Sequence, residues 1–162
     1  MDRVLWKHFN TNNADRFADR AMALARQGKA IPLANELLFD FAAEAVATRA
    51  ESRCGYVYVA TNPMFPRLCK IGLTRLAPEA RMRALSGEGI PTDYILAGAA
   101  WFPDRYWAEA EMHRRFSECR AVGEFFELAF DRAAREIEYL AQQEARVYTQ
   151  LTGLPARVRP AG

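Results

Sequence analysis

The chain has 162 residues, of which 51% are hydrophobic and 12% aromatic, so it can bury a core and does not have the composition of a disordered protein. Its formal net charge of +2 excludes a strongly basic domain, and any affinity for nucleic acid must come from local clusters of Arg and Lys. The odd number of cysteines, three, and the lack of an apolar run of membrane-spanning length favour a cytoplasmic protein over a secreted or membrane protein.

The first third of the chain has the apolar spacing of two helices. Asn13 is a suitable N-cap for the first helix, and Gly28 and Pro32 separate it from the second. The apolar residues at helical spacing are Phe17, Met22, Leu24 and Ala25 in the first helix and Leu37, Leu38, Phe41, Ala45 and Val46 in the second. Residues 1–52 are therefore predicted to form an N-terminal helical hairpin that packs on the rest of the protein or mediates a homodimer. The pattern assigns it no chemistry.

Two short strands follow. Residues 55–61 and 68–74 are rich in β-branched and aromatic side chains, and Pro63 and Pro66 mark the loop between them. Further elements are then predicted in the order helix, strand, helix, short edge segment and helix. They cover residues 78–87, 94–102, 104–120, 124–128 and 131–151.

These elements predict an α+β fold. We expect a small, mainly antiparallel three-stranded sheet whose first strand is central, flanked by helices and preceded by the helical hairpin. The main domain is expected over residues 53–152, and a flexible tail over residues 153–162.

Tyr58 and Lys70 are the first candidates for chemistry. Side chains alternate across a strand, so Tyr58 lies on one face of the first strand, while Lys70 and Gly72 share a face of the second. A Tyr and a Lys side by side can polarise a water or hold a phosphate oxygen. Gly72 permits close approach by a helix or a ligand. The alternative is an amphipathic hairpin with a buried Tyr and a solvent-facing Lys.

Three arginines follow the second strand. Arg81 lies near the start of a predicted helix, where its planar guanidinium can grip a phosphate. Arg75 and Arg83 are predicted to be surface cations that contact a polynucleotide backbone. Taken without its neighbours, Arg81 is better explained by a surface salt bridge.

Glu109 and His113 are four residues apart and share one helix face. A carboxylate beside a buried stripe suits a hard cation such as Mg²⁺, which takes one or two protein carboxylates plus water and phosphate oxygens. His113 can orient a water or a phosphate, or simply bond to Glu109. A helix-stabilising Glu–His pair is the alternative.

In their order and spacing these residues resemble the GIY-YIG nuclease superfamily. Tyr56-Val57-Tyr58 stands where that family has Gly-Ile-Tyr, and Lys70-Ile71-Gly72 where it has Tyr-Ile-Gly, as in a phage and bacterial branch whose second motif reads Lys-Ile-Gly. Arg81 matches the helix arginine of the family and Glu109 its metal-binding glutamate. The resemblance covers about residues 54–130.

The resemblance implies a DNA endonuclease that uses a single Mg²⁺ or Mn²⁺ ion to hydrolyse phosphodiester bonds. Glu109 would hold the ion, Tyr58 would help to activate water, and Arg81 would stabilise charge on the phosphate. Lys70 departs from the motif and would act as an extra cation or in place of the tyrosine hydroxyl. Because of that departure, the main alternative is a module of the same fold that binds nucleic acid without cutting it. A third alternative is an interaction protein that functions through its N-terminal helices.

Overall fold

The computed structural model of this chain describes residues 11–29, 36–87 and 89–156. These residues form two compact units. The first comprises the described residues up to Ser52 together with residues 146–156, and the second comprises those from Arg53 to Ala145.

The first unit is helical. It contains α1 (Thr11–Arg26), most of α2 (Glu36–Arg53) and the end of α5 (Phe130–Thr152). Its core consists of Ala18, Ala21, Met22, Ala42, Val46, Ala50, Tyr148 and Leu151. Alanine predominates in that core, which lets helix backbones approach closely. The predicted break at Pro32, the first ten residues and the predicted tail beyond residue 156 lie outside the described residues.

The second unit contains an antiparallel sheet. Its strands are β1 (Gly55–Thr61), β2 (Cys69–Thr74), β3 (Ile95–Phe102), β4 (Arg120–Val122) and β5 (Phe125–Phe126), in the spatial order β3-β1-β2-β5-β4. The helices α3 (Pro78–Ser86) and α4 (Arg105–Arg115) and the first part of α5 complete it. No helix in the described ranges combines the length and the apolar character of a membrane span.

The prediction of a three-stranded sheet with the first strand central was wrong, because the sheet has five strands and β2 occupies its middle. The cause is a tight hairpin around Gly123, whose φ of 57° lies in the left-handed region. The hairpin folds β5 back on β4 and places Phe125 and Phe126 opposite Lys70 and Cys69. Strands of two or three residues are too short to show an alternating pattern in sequence.

The two faces of the sheet carry different cores. Val57, Val59 and Ile71 lie on one face. The other side chains of that core are Cys69, Phe102, Ala108, Met112, Phe116, Phe126, Ala133, Ile137 and Leu140, which bring in α4 and α5. Tyr58 and Ala60 lie on the opposite face with Met82 of α3 and Tyr94. The alternation along β1 therefore directs Tyr58 away from the larger core and towards α3.

Gly98 of β3 provides a test of how closely α5 packs on the sheet. A Cβ at this position would lie 2.8 Å from the Cβ of Ala134, a distance that requires the helix or strand to shift. We expect Gly98→Ala to lower the free energy of unfolding by about 1–3 kcal/mol, as overpacking does in other cores, measured by urea denaturation.

The matched control is Gly87→Ala, since the nearest atom to a Cβ there lies 3.7 Å away, an ordinary contact. It should leave the stability nearly unchanged. An equal loss of stability in the two variants would contradict the close packing of α5 on β3.

Candidate functional site

Tyr58 crosses β2 directly above Gly72. The two residues are partners in the antiparallel register, and Tyr58 is only 1% exposed. A Cβ at Gly72 would lie 2.6 Å from the Tyr58 hydroxyl oxygen, so the ring occupies space that any other residue at 72 would fill. The close approach predicted for Gly72 is therefore made by Tyr58 itself.

The outer edge of β2 is closed first by a strand and then by a helix. Phe125 and Phe126 pair only with its first two residues, and the N–H of Ile71 donates to the carbonyl of Glu124 at 3.0 Å. The next polar group of the edge, the carbonyl of Ile71, accepts a hydrogen bond from His113 Nε2 at 2.9 Å. From this point α4 replaces a neighbouring strand.

The start of α4 determines which side chains face that edge. Asp104 caps the helix by accepting hydrogen bonds from the N–H groups of Tyr106 and Trp107 at 3.1 Å each. Ala108 and Met112 then lie in the core, fully buried. Glu109 and His113 each follow one of these residues, so they lie on the adjacent helix face.

Glu109 is a half-buried carboxylate whose Oε1 has no hydrogen-bond partner in the described part of the chain. Burial is the largest influence on the carboxyl group and raises its pKa, and the charge of Glu124 acts in the same direction. His113, Lys70 and the backbone N–H of Leu73 lower the pKa by a smaller amount. The carboxylate is thus partly removed from water, and its neighbours do not fully offset the cost of burying its charge.

Arg81 of α3 faces Tyr58 from the other direction. Burial raises the pKa of the Tyr58 hydroxyl, a hydrogen bond from Arg81 and its charge lower it, and Glu124 and Glu109 raise it further. Arg81 Nε is itself buried without a hydrogen-bond partner among the described residues. Arg81 and Glu109 therefore both act on Tyr58, yet no ion pair between them occurs in the described ranges.

Lys70 forms an ion pair with Glu124. The lysine side chain is 12% exposed, and its Nζ lies 5.2 Å from the centroid of the Phe125 ring. Its charge is therefore balanced within the protein by the charge of Glu124. The partners are 54 residues apart, and only the hairpin at Gly123 brings them together.

Both ring nitrogens of His113 are engaged. Because the Ile71 carbonyl can only accept, Nε2 carries the hydrogen, and Nδ1 accepts from Arg120 Nη2 at 3.2 Å. Arg120 also donates from Nε to the carbonyl of Gly123 at 2.8 Å. His113 thus joins α4 to β2, and Arg120 is a member of the site that no sequence pattern indicated.

The two remaining arginines have different surroundings. Arg75 is exposed directly after β2. Arg83 is exposed on α3, where it lines a shallow cavity of about 340 Å³ with Asp93 and Tyr94. The structure thus groups Tyr58, Lys70, Arg81, Glu109 and His113 and leaves Arg83 beside this cavity.

The site offers a divalent ion a single carboxylate. In the described residues no three His, Cys, Asp or Glu side chains come together as a metal cluster. Mg²⁺ usually keeps several waters and takes one or two protein carboxylates plus substrate phosphates. Glu109, which has an oxygen without a partner, fits a site of this kind.

One family model matches the chain. It is described as the T5orf172 domain, and the match covers residues 55–141, more than half of the chain. No curated protein and no solved structure gives a significant match.

The predicted membership of the GIY-YIG nuclease superfamily was wrong, because the matching model is that of the T5orf172 domain. The prediction depended on the order and spacing of two strand motifs, Tyr56-Val57-Tyr58 and Lys70-Ile71-Gly72, followed by Arg81 and Glu109. The two motifs prove to be partners in one hairpin. An aromatic ring packed over a glycine is a general solution for paired strands, so a motif of this length does not identify a family.

Glu109 and Glu111 should affect stability in opposite ways as the pH changes. Since the folded state raises the pKa of Glu109 above its ordinary value of 4.5, the stability contributed by its proton is present below that value and lost as the pH rises through the folded pKa. Glu109→Gln removes this loss. Measured by thermal unfolding in EDTA, its melting temperature should rise relative to the parent by about 2–4 °C between pH 4.5 and about pH 8.

Glu111→Gln on the same helix is the control. Hydrogen bonds from Arg114, supported by Arg115, lower the pKa of Glu111 to about 2. The stability that the ionised Glu111 contributes to the folded state is therefore fully present above pH 4.5 and is lost as the pH falls through about 2. This variant should be less stable than the parent at neutral pH and approach it in acid. If the difference in melting temperature between Glu109→Gln and the parent does not change with pH, the folded state does not raise the pKa of Glu109.

Proposed function

We propose that this chain, which belongs to the T5orf172 domain family, is a divalent-metal-dependent DNA endonuclease that hydrolyses phosphodiester bonds. The proposal depends on one observation. Among the described residues, Arg81 Nε and Glu109 Oε1 are two of the three buried side-chain atoms that lack a hydrogen-bond partner. The two side chains carry opposite charges, and both act electrostatically on Tyr58. A phosphate bound by Arg81 and a cation bound by Glu109 would satisfy both atoms.

Each residue then has a defined part in hydrolysis. Arg81 binds the non-bridging oxygens of the scissile phosphate and stabilises the charge that develops on them. Tyr58, whose raised pKa keeps it a phenol at neutral pH, positions the attacking water or donates a proton, and does not act as a base. Glu109 holds the ion, and a bound Mg²⁺ or Mn²⁺ would polarise the phosphate and lower the pKa of a bound water.

The remaining polar residues support this arrangement. His113 has a positioning role, because its hydrogen bond to the Ile71 carbonyl joins the helix of Glu109 to the strand opposite Tyr58. Lys70 forms an ion pair with Glu124, a carboxylate that acts electrostatically on Tyr58 and Glu109. Arg75 is exposed at the end of β2 and is proposed to contact the DNA backbone.

A module that binds nucleic acid without cutting it is the second candidate. It is favoured by the ion pair between Lys70 and Glu124, which leaves the site with one fewer uncompensated cation for the transition state. The two candidates differ in a single measurement, the appearance of cleaved DNA in the presence of a divalent ion.

Glu109→Gln should abolish cleavage. The amide keeps the size of the side chain and loses the charge that a hard cation requires, so the rate in Mg²⁺ or Mn²⁺ should fall by about a thousandfold or more. Nicking of supercoiled plasmid measures the rate, and circular dichroism checks the fold.

Glu118→Gln is the control, since Glu118 is an exposed carboxylate of the short 3₁₀ turn that follows α4. It should cut as the parent does. A Glu109→Gln rate within a few-fold of the parent would remove Glu109 from the mechanism. A parent that binds DNA and cuts none with either ion would favour the binding module.

Arg81→Lys should distinguish a bidentate phosphate contact from a simple charge. Lysine keeps the positive charge but loses the planar fork, so we expect about a hundredfold loss of cleavage rate with a smaller loss of DNA affinity. Arg135→Lys, at an exposed position of α5, should change neither quantity. Equal rates for Arg81→Lys and the parent would argue against direct contact with the reacting phosphate.

A further inference from the structure

The loop between β1 and β2 exposes apolar side chains beside the candidate site. Met64 is 49% exposed and Phe65 is 42% exposed. The flanking prolines, Pro63 and Pro66, restrict the backbone on both sides of this pair. The core clusters do not include either side chain, so their exposure is not explained by the packing of the fold.

Hydrogen bonds of Asn62 hold the backbone of this loop in place. Asn62 is buried, and its Nδ2 donates to the carbonyl of Thr92 at 3.0 Å, while its Oδ1 accepts from the N–H of Met64 at 2.9 Å and from Thr92 Oγ1 at 2.6 Å. The N–H of Phe65 donates to the Asn62 carbonyl at 2.9 Å. The backbone that carries the exposed ring is therefore held by hydrogen bonds, which lowers the entropic cost of binding through this loop.

The Phe65 ring is connected to the candidate site through the Phe125 ring. Its edge packs against Phe125 with ring centroids 6.3 Å apart and an interplanar angle of 63°. The Phe125 ring also lies beside the ammonium group of Lys70, which acts electrostatically on Glu109. Arg67, whose side chain is 86% exposed, follows two residues after Phe65 and lies 3.8 Å from Glu127. The Phe65 ring thus contacts the Phe125 ring, which contacts the Lys70 ammonium group, and Lys70 acts electrostatically on Glu109.

We infer that Phe65 stacks on an unpaired base adjacent to the phosphate held at the site. Base faces are covered by their neighbours in a continuous duplex and become available to an aromatic ring only where the strand is unpaired. The preferred substrate is therefore DNA with unpaired nucleotides, such as a single strand, a flap or a branch. The identity of the ligand as DNA rests on the proposed function.

Binding in EDTA tests this inference separately from cleavage. The probes are a short fluorescein-labelled single strand that carries 2-aminopurine and the matching labelled duplex, titrated with the full chain and followed by anisotropy. Phe65→Leu keeps an apolar side chain and removes the ring, so single-strand affinity should fall about tenfold, as loss of one stacked base does. Duplex affinity should stay the same, and the quenching of 2-aminopurine should disappear.

Phe65→Trp should restore binding and quenching, and Tyr139→Leu, at an exposed aromatic position on α5, should behave as the parent. Equal losses on single strand and duplex, or no loss on either, would overturn the inference. So would a change of molar mass in light scattering for Phe65→Leu with DNA binding intact, because a second copy of the chain would then cover the ring. A parent that binds single strands through Phe65 and cuts nothing would overturn the proposed function and leave the stacking contact established.

Discussion

The antiparallel register of β1 and β2 places Tyr58 opposite Gly72, and the geometry of the candidate site depends on this pairing. A shift by one residue would turn the Tyr58 ring into the core of Val57 and Val59 and would bring a valine to the face of α3. Only glycine at position 72 leaves space for the ring. The pairing therefore specifies both the strand register and the location of a buried phenol between an arginine and a carboxylate.

A second constraint is the way in which α4 completes the edge of β2. On the edge of β2 that faces β5, strand pairing ends at Lys70, and the hydrogen bond of His113 to the Ile71 carbonyl attaches the helix where another strand would otherwise add. Glu109 lies one turn before His113 and so reaches the same edge, where its Oε1 has no hydrogen-bond partner among the described residues. The charges of Arg81 on α3 and Glu109 on α4 are thus positioned by separate elements of the fold. Each keeps a buried polar atom without a hydrogen-bond partner among the described residues.

The sequence predicted the elements that carry strong periodicity. The hairpin at residues 55–74, the arginine helix and the helix with Ala108 and Met112 all follow from spacing, and the alternation along β1 correctly separated Tyr58 from the valines. It predicted a short edge segment over residues 124–128, but neither β4 nor the pairing of β5 with β2 and β4, which depends on the positive φ of Gly123. The partners of Lys70 and His113 were missed for the same reason, since Glu124 and Arg120 reach them only through that hairpin. The assignment to a family from short motifs and their spacing failed, and the two strand motifs in that set describe strand packing that unrelated proteins can share.

The helix α5 belongs to both compact units. It is continuous from Phe130 to Thr152, and its last turns supply Tyr148 and Leu151 to the alanine-rich core of the first unit. If recombination transferred residues 53–162 to another protein, Tyr148 and Leu151 would lose their packing partners from α1 and α2. An apolar surface would then be exposed at the end of the helix. In evolution the helical unit and the sheet unit are thus bound to be inherited together, unless the exchange also shortens α5 or replaces its exposed face with polar residues.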